Sequence, residues 1–449
     1  MPRKKTPKFQ SLTGMHDILP EDQKYFHEIY KTAKNIADFY GFGEITTPIL
    51  EQAELFSRGV GMATDVVKKQ MYTFRTKGGE LVTLRPEGTA SIVRAYIEHG
   101  MRTLPQPVKL WYFGPFFRYE KPQGGRYRQF WQFGFEIIGD ASPVEDAQVI
   151  LIFYKILEEL KLKNLIIQIN SIGDHQCRPY YKRLLGSYLR AHHSSLCADC
   201  RRRIKENPLR VLDCKEEKCQ SIINSAPQIL DHLCRECHDH FKEVLEYLDN
   251  LGLPYHLNPY LVRGLDYYTR TVFEIFAEQE EFQEVGDQES KNNQEKKEGL
   301  SVISKNALAG GGRYDTLVKL LGGKETPAFG AAGGVERIVE AMKFAKIKLA
   351  RAQKPKIFLA QLGKQAKREI LRLIEEFRQA KVPVAFSLSK DSLKSQLKLA
   401  DRLGVKYTLI LGQKEVVEGK IIIRNMQTGK QKTTAIKTIV QEMKKKISK

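Results

Sequence analysis

The stretch FFRYEKPQGGRYRQFWQFGFEIIG, residues 116–139, decides the fold. It reads as two strands joined by a basic, glycine-containing loop. In the second strand the side-chain period of two sends Trp131, Phe133, Phe135 and Ile137 one way and Gln132, Gly134 and Glu136 the other. The second side carries an amide, a gap and a carboxylate, as the floor of a polar pocket would. The preceding strand puts Arg118 and Glu120 two apart on one face, and Arg126 and Arg128 sit in or beside the loop. Guanidinium forks above a polar floor suit a phosphate-bearing substrate. An ordinary amphipathic hairpin with a charged tip would show the same alternation, so the rest of the chain must decide.

At 449 residues the chain has room for two or three domains and a large core. No apolar run approaches the roughly 18 to 20 residues of a membrane span. The N-terminus, MPRKKTPKFQSLTG, is basic but lacks the apolar stretch of a secretory signal. The expected compartment is therefore the cytoplasm, with no membrane partner. Formal net charge is +20, and residues 351–449 carry 24 Lys and Arg against 8 Asp and Glu, a net of +16. A basic C-terminal unit points to a polyanion, of which nucleic acid is the commonest. A lysine-rich surface that only aids solubility is the competing reading.

From residue 15, MHDILPEDQKYFHEIYKTAKNIADFYGF reads as a turn and a long amphipathic helix. Pro20, Glu21 and Asp22 start it, and Phe26, Ile29, Tyr30, Ala33, Ile36, Ala37 and Tyr40 form its apolar stripe. Gly41 stops it. EITTPIL reads as a strand, as do Leu81 to Arg85 and LIIQINSIG (165–173); residues 140–165 read as helical up to that strand. Residues 174–250 hold all seven cysteines among many charges, at helical spacing, and read as an inserted subdomain. Residues 278–299 are polar and charged, too poor in apolar groups to fold alone, and read as a disordered or extended loop. After the basic linker KFAKIKLARAQKP (343–355), strands and helices alternate, which predicts an α/β sandwich with a mainly parallel sheet.

Three further segments bear chemistry. TLRPEGTAS (83–91) sets Arg85, Glu87 and Thr89 at a strand end before a helix. A carboxylate and a hydroxyl there could receive an ammonium group, or Thr89 could be a plain N-cap with Glu87 a first-turn charge. LVRGLDYYTRTVFEIF (261–276) frees Arg263 beside the tight turn at Gly264 and leads through two tyrosines into a strand. Adjacent strand residues face opposite ways, so at most one of Tyr267 and Tyr268 should reach a common pocket. LAGGGRYDTLV (308–318) brings Tyr314 and Asp315 after a glycine run, and AFGAAGGVERIV (328–339) leads small residues into a helix whose first turn holds Glu336 and Arg337.

FRYE, a basic loop and GFEIIG resemble motif 2 of the class II aminoacyl-tRNA synthetases, in the form found in the histidyl-tRNA synthetase family. GMHDILPED with ITTPIL resembles motif 1, and GAAGGVERIV motif 3; RGLDYY is similar to a signature particular to the histidyl family. The resemblance covers nearly the whole chain. It implies an α+β catalytic domain with a mainly antiparallel sheet flanked by helices, a helical insertion, and a C-terminal α/β anticodon-binding domain. The corresponding boundaries are a basic tail at 1–10, a catalytic domain at 11–345, an insert at about 174–250, a linker at 346–354 and the anticodon-binding unit at 355–449.

What the resemblance implies for function is a homodimeric histidine–tRNA ligase using ATP and Mg2+, with tRNA(His) as partner. Arg118 and Arg263 would stabilise the ATP α-phosphate. Glu87, Thr89, Gln132, Glu136, Tyr267, Tyr268 and Tyr314 would hold histidine, with Glu136 and Tyr268 on the imidazole. Glu120, Arg126 and Arg337 would join Arg118 on ATP, and Gln123 would meet the tRNA acceptor end. A neutral imidazole has one donor and one acceptor, which a carboxylate and a phenol can satisfy together. Another class II ligase, for proline, threonine or glycine, lacks a reason for RGLDYY. An inactive regulatory relative lacks a reason for an intact Arg118, Arg263 and Arg337 set with a basic C-terminal unit.

Cys197-x-x-Cys200 and Cys234-x-x-Cys237 are paired knuckles, with Cys214 and Cys219 between them. Two such pairs suit a tetrahedral, structural Zn2+ on Cys197, Cys200, Cys234 and Cys237. The 33 residues between Cys200 and Cys234 exceed the usual spacing, and free buried thiols are the other reading. Cys177 is expected to be unpaired and inert, and His192 and His193 to be additional ligands or exposed helix residues.

Overall fold

A computed structural model describes residues 9–62, 64–122, 125–281, 300–303, 306–349, 354–389 and 392–448. The chain divides into two units, Met1–Lys348 and Leu349–Lys449. Among the described residues, no helix is long and apolar enough to cross a membrane.

The first unit is built on one large sheet. Its strands are β1 (Gly43–Glu44), β2 (Val108–Phe117), β3 (Gln129–Ile138), β4 (Leu165–Ser171), β5 (Tyr255–Leu257), β6 (Thr269–Glu281), β7 (Leu300–Ile303), β8 (Ala309–Arg313) and β9 (Ala328–Gly334). They run in the order β1-β2-β3-β9-β8-β6-β4-β5, with β7 paired to the far end of β6. Only β1 with β2 and β4 with β5 pair in parallel; the rest are antiparallel. Helices α1 (Pro20–Tyr40), α2 (Thr89–Glu98), α3 (Pro143–Glu159), α4 (Arg178–Ala191), α5 (Arg235–Asn250) and α6 (Val335–Phe344) flank it. A small separate sheet joins Leu50–Gln52, Leu81–Leu84 and Tyr72–Arg75.

Local sequence explains the boundaries. Pro20 opens α1 with Glu21 and Asp22 in its first turn, and Gly41 closes it at φ 75°, where a side chain would be strained. Phe26, Ile29, Ala33, Ile36 and Ala37 are its buried stripe. The alternation of β3 is kept: Phe133 stacks on Phe153 of α3 and Phe135 meets the same ring edge-on, while Glu136 faces the other way. β2 ends at Phe117, so Arg118 and Glu120 lie in the connection rather than on the strand. One further ladder bond, Arg118 N to Arg128 O at 2.9 Å, still holds Arg118 near the strand end.

Other expectations shift. EITTPIL is not one strand: Glu44 pairs with β2 in the large sheet and Leu50 with Leu84 in the small one, so the residues between, Pro48 among them, cross from one sheet to the other. Of the polar segment 278–299, residues 278–281 continue β6 and pair with β7, since backbone pairing does not need apolar side chains; residues 282–299 lie outside the described residues. The region 174–250 also divides. Its own apolar core runs from Tyr181 to Ile229, whereas α5 is the crossover that returns the chain from β4 to the parallel strand β5.

The second unit has a five-stranded sheet ordered Val384–Phe386, Ile357–Gln361, Tyr407–Leu411, Lys420–Asn425, Gln431–Ala435. The first three strands are parallel and the last two antiparallel, so the sheet is mixed rather than mainly parallel. The turn before Gln431 is too short for a crossover helix, which forces a hairpin. Helices Lys364–Gln379, Leu393–Leu403, Gln413–Val417 and Ile439–Ser448 belong to the same unit; Ile370, Leu373 and Phe377 of the first are buried with Ile357, Leu359 and Leu409.

Candidate active site

On the face away from α3, strands β3, β9, β8 and β6 set a buried polar cluster beside an arginine-lined cavity. Within that cluster Glu136 is fully buried. Thr89 Oγ1 donates to Glu136 Oε1 at 2.8 Å and Tyr314 Oη to Oε2 at 2.5 Å. Burial pushes the Glu136 carboxyl up to about 8 although both hydroxyls favour its charged form; nearby Glu87 adds to the rise. Near neutral pH this group is therefore held mostly protonated and can donate a hydrogen bond. Its space exists because residue 330 is glycine: a Cβ there would lie 1.6 Å from Glu136 Oε2.

Glu87 is buried as well, and its carboxylate accepts from Thr89 N at 2.8 Å and Ala90 N at 2.9 Å. The two readings of this segment thus divide between residues: Glu87 caps the first turn of α2, while Thr89 turns its hydroxyl to Glu136. Tyr267 Oη donates to Glu87 Oε2 at 3.4 Å. Tyr267 and Tyr268 do not point to opposite faces. Their rings lie 4.7 Å apart and both are buried beside Glu87 and Glu136, because β6 begins only at Thr269 and the turn before it has no strand alternation.

Tyr112 was not singled out by the sequence, and it fills the gap expected at Gly134. The two residues are paired across β2 and β3, and a Cβ on Gly134 would lie 2.4 Å from the Tyr112 ring. A glycine facing an aromatic on a neighbouring strand was the signal, but the register was needed to see it. Arg85 proves structural: Nη1 donates to Thr47 O at 2.8 Å, Nε to Pro115 O at 3.0 Å, and the guanidinium lies over Phe116.

Beside this cluster, along the same face of β3, a cavity of about 160 Å3 is lined by Arg118, Arg126, Arg263 and Arg337, with Glu120, Gln132, Glu274 and Glu336 between them. Arg118 Nε donates to Pro86 O at 2.8 Å, leaving its other nitrogens toward Glu120, 3.9 Å away. Arg126 and Glu120 are 3.7 Å apart. Arg337 donates to Gly125 O at 3.2 Å and Ala307 O at 2.9 Å, and burial beside Arg126 and Arg118 lowers its pKa from the usual value. Arg263 is paired with Glu274, which the sequence reading passed over although it is the lone charge in VFEIF. Arg263 lies over β8 because residue 310 is glycine, where a Cβ would stand 2.8 Å from Nη1. Nε of Arg126 and of Arg263 are buried without a hydrogen-bond partner among the described residues. Orphaned donors and crowded cations at one mouth fit a polyphosphate. Arg128 instead packs on Tyr119 and donates to Glu120 O, holding the loop. Gln123 lies outside the described residues.

A family model described as histidyl-tRNA synthetase matches residues 14–287, and one described as an anticodon binding domain matches 356–446. The chain belongs to the histidyl-tRNA synthetase family. It is 44% identical over 432 residues to the histidine–tRNA ligase of Halothermothrix orenii, covering 96% of this chain and 98% of that one. Against the histidine–tRNA ligase of Dehalococcoides mccartyi strain 195 it is 43% identical, covering 98% and 100%. The apo histidyl-tRNA synthetase of S. aureus superposes with a TM-score of 0.75 at 36% identity, covering 97% of this chain and 100% of that structure.

Within this synthetase fold the cysteines do not converge as expected. Cys197 and Cys200 meet Cys214 and Cys219, whereas Cys234 and Cys237 meet Asp174 and Cys177. The two knuckles start different helices, Ala198–Glu206 and α5, and α5 belongs to the crossover rather than to the insert's core. Cys177 is not isolated, its sulfur lying 3.8 Å from that of Cys237. His192 and His193 belong to neither group.

Proposed function

We propose that the chain acts as a histidine–tRNA ligase: ATP activates histidine to histidyl-adenylate, and the acyl group passes to the 3′ end of tRNA(His). The observation that carries this reading is the buried Glu136, held by Thr89 and Tyr314, beside a cavity lined by four arginines.

The chain supplies positioning and charge rather than a nucleophile. Histidine's imidazole would enter toward Glu136 and Tyr268, where a protonated carboxyl and a phenol answer its one acceptor and one donor. Glu87, Thr89, Gln132, Tyr267 and Tyr314 would surround its α-ammonium and carboxylate end. That carboxylate oxygen attacks the α-phosphorus of ATP, the bond to the bridging oxygen breaks, and pyrophosphate leaves with the electron pair. Arg118 and Arg263 would stabilise the charge gathering on the α-phosphate oxygens, while Arg126 and Arg337 would hold the rest of the nucleotide. Glu120 and Glu274 are the carboxylates that would hold Mg2+, which when bound offsets phosphate charge. In the second step the terminal ribose hydroxyl of tRNA attacks the acyl carbon and AMP leaves.

The basic second unit supports a role in anticodon binding, and Gln123 remains our choice for contact with the acceptor end. Homodimer formation is supported by the small sheet, which leaves Ile49, Leu50 and Phe74 exposed. The cytoplasm is the compartment where seven free cysteines and a tRNA substrate are both expected.

ATP–pyrophosphate exchange with each of the twenty amino acids, without tRNA, tests the assignment. Exchange with histidine alone is expected. Exchange with a different amino acid would overturn the specificity, and exchange with none would overturn the activity.

A further inference from the structure

We propose that the chain binds two structural Zn2+ ions, one on Cys197, Cys200, Cys214 and Cys219 and a second on Asp174, Cys177, Cys234 and Cys237. The second would fasten the root of the insert directly behind Tyr268. In each group the four ligand atoms lie within 4.8 Å of one another. The Cys177 and Cys237 sulfurs are 3.8 Å apart, as are Cys177 Sγ and Asp174 Oδ1, and Cys197 and Cys214 sulfurs are 3.9 Å apart. A tetrahedron with Zn–S bonds of about 2.3 Å has edges of about 3.8 Å, whereas a disulfide would need about 2.05 Å.

The backbone around both groups suits thiolates. Cys197 and Cys234 are N-caps of their helices, Cys200 and Cys237 lie in the first turns, and Cys177 is the N-cap of α4, so positive helix ends converge on sulfur. Amides also point at the sulfurs: Cys197 N to Cys219 Sγ at 3.3 Å, Cys200 N to Cys197 Sγ at 3.4 Å, and Asp174 N to Cys177 Sγ at 3.4 Å. Sulfur-rich, four-ligand sets of this size select zinc over magnesium or calcium.

The second group has its own outer partners. A divalent ion with three thiolates and a carboxylate carries a net charge of −2. Arg270 Nη2 lies 3.3 Å from Asp174 Oδ2, the oxygen turned from the sulfurs, and so both orients the carboxylate and offsets charge. Arg270 holds a left-handed φ of 48°, and its amide donates to Gly173 O. Arg178, next to Cys177, donates to Gly173 O at 3.0 Å and to Tyr268 O at 2.5 Å. The ion would thus tie α4, α5 and the start of β6 at the point where Tyr268 enters the pocket.

Elemental analysis of the full-length protein, purified without chelator, is expected to give two zinc per chain. C200S/C214S should leave one, D174N/C237S should leave one, and the fourfold variant none. Loss of all metal from either double variant would mean a single shared site and would overturn the proposal. Should a variant fail to fold, Co2+ reconstitution of the wild-type chain decides: two cobalt ions with charge-transfer intensity for seven thiolates are expected, and one ion or none overturns it. The fastening is tested separately in the zinc-depleted variants. D174N/C237S should raise the histidine KM several-fold while C200S/C214S leaves it unchanged. Equal KM values in both would show that the second ion does not support Tyr268.

Discussion

Tyr314 Oη and Glu136 Oε2 stand 2.5 Å apart, both fully buried and on strands or strand ends separated by β9. A phenol held this close to a carboxyl raised to about 8 fixes where one proton resides in a buried cluster.

Histidine affinity should therefore follow a bell in pH. The pair of Glu136 and imidazole needs one proton between them. Below the imidazole's ordinary value, roughly 6.5, a second proton must be lost on binding; above about 8, one must be taken up. Calorimetric titration across pH 5.5 to 9.5 in the absence of ATP measures both limbs. Glu136→Gln should abolish the limb near 8 and keep the lower one, which separates Glu136 from the substrate's own ammonium. The same shift acts on stability. A raised carboxyl favours the folded state fully below its ordinary value near 4.5 and loses that contribution as pH rises through about 8.

Gly330→Ala puts a methyl 1.6 Å from the Glu136 carboxyl and 2.9 Å from Phe135 O. The carboxyl has to move, so the histidine KM should rise by about tenfold or more, ~1.4 kcal/mol, with the ATP KM within twofold. Overpacking should also cost about 1–3 kcal/mol of stability in urea. An unchanged histidine KM would separate Glu136 from substrate recognition.

Arg337→Ala should act on the other substrate. Loss of one charged anchor costs about 1.5–3 kcal/mol, so the ATP KM in pyrophosphate exchange should rise roughly ten- to hundredfold, with the histidine KM unchanged. Arg337→Lys should recover little, because its two backbone carbonyl contacts need the planar fork.

Asp146 lies outside the pocket and is predicted to matter for folding alone. It pairs with the fully buried Arg313 and accepts from His240 Nε2 at 2.9 Å. Asp146→Ala leaves a buried guanidinium short of its partner and should cost about 3–5 kcal/mol in urea unfolding. Arg313 and His240 hold the Asp146 carboxyl below its ordinary value despite burial, so this stability is present above that value and is lost as pH falls through the lower one. The variant's deficit should accordingly shrink in strong acid.

Much of this arrangement was legible in residue order. The α1 boundaries followed from Pro20 and Gly41, and the alternation of residues 131–137 separated the face under α3 from the face carrying Glu136. What was hidden depended on register and on loop meetings. Tyr112 joins the pocket only because it pairs with Gly134 across strands 22 positions apart in the chain. Glu274 faces Arg263 only once β6 is set against β8. The cysteine partition was also beyond spacing alone, since the crossover through α5 decides which knuckle meets Asp174. The Asp174-x-x-Cys177 offset, equal to that of the knuckles, was the available hint.

Strands β8 and β9 read AGGGR and AFGAAGG, so the middle of the sheet presents nearly bare peptide to the ligand space. Peptide held in a ladder has no rotamers to freeze when substrate arrives. The entropic cost of binding is thereby concentrated in the long arginine side chains at the entrance. Such a site has a stiff end that sorts by shape and hydrogen bonding and a pliant end that closes on phosphate. The amino acid would meet a preformed mould, and the nucleotide a hand that closes.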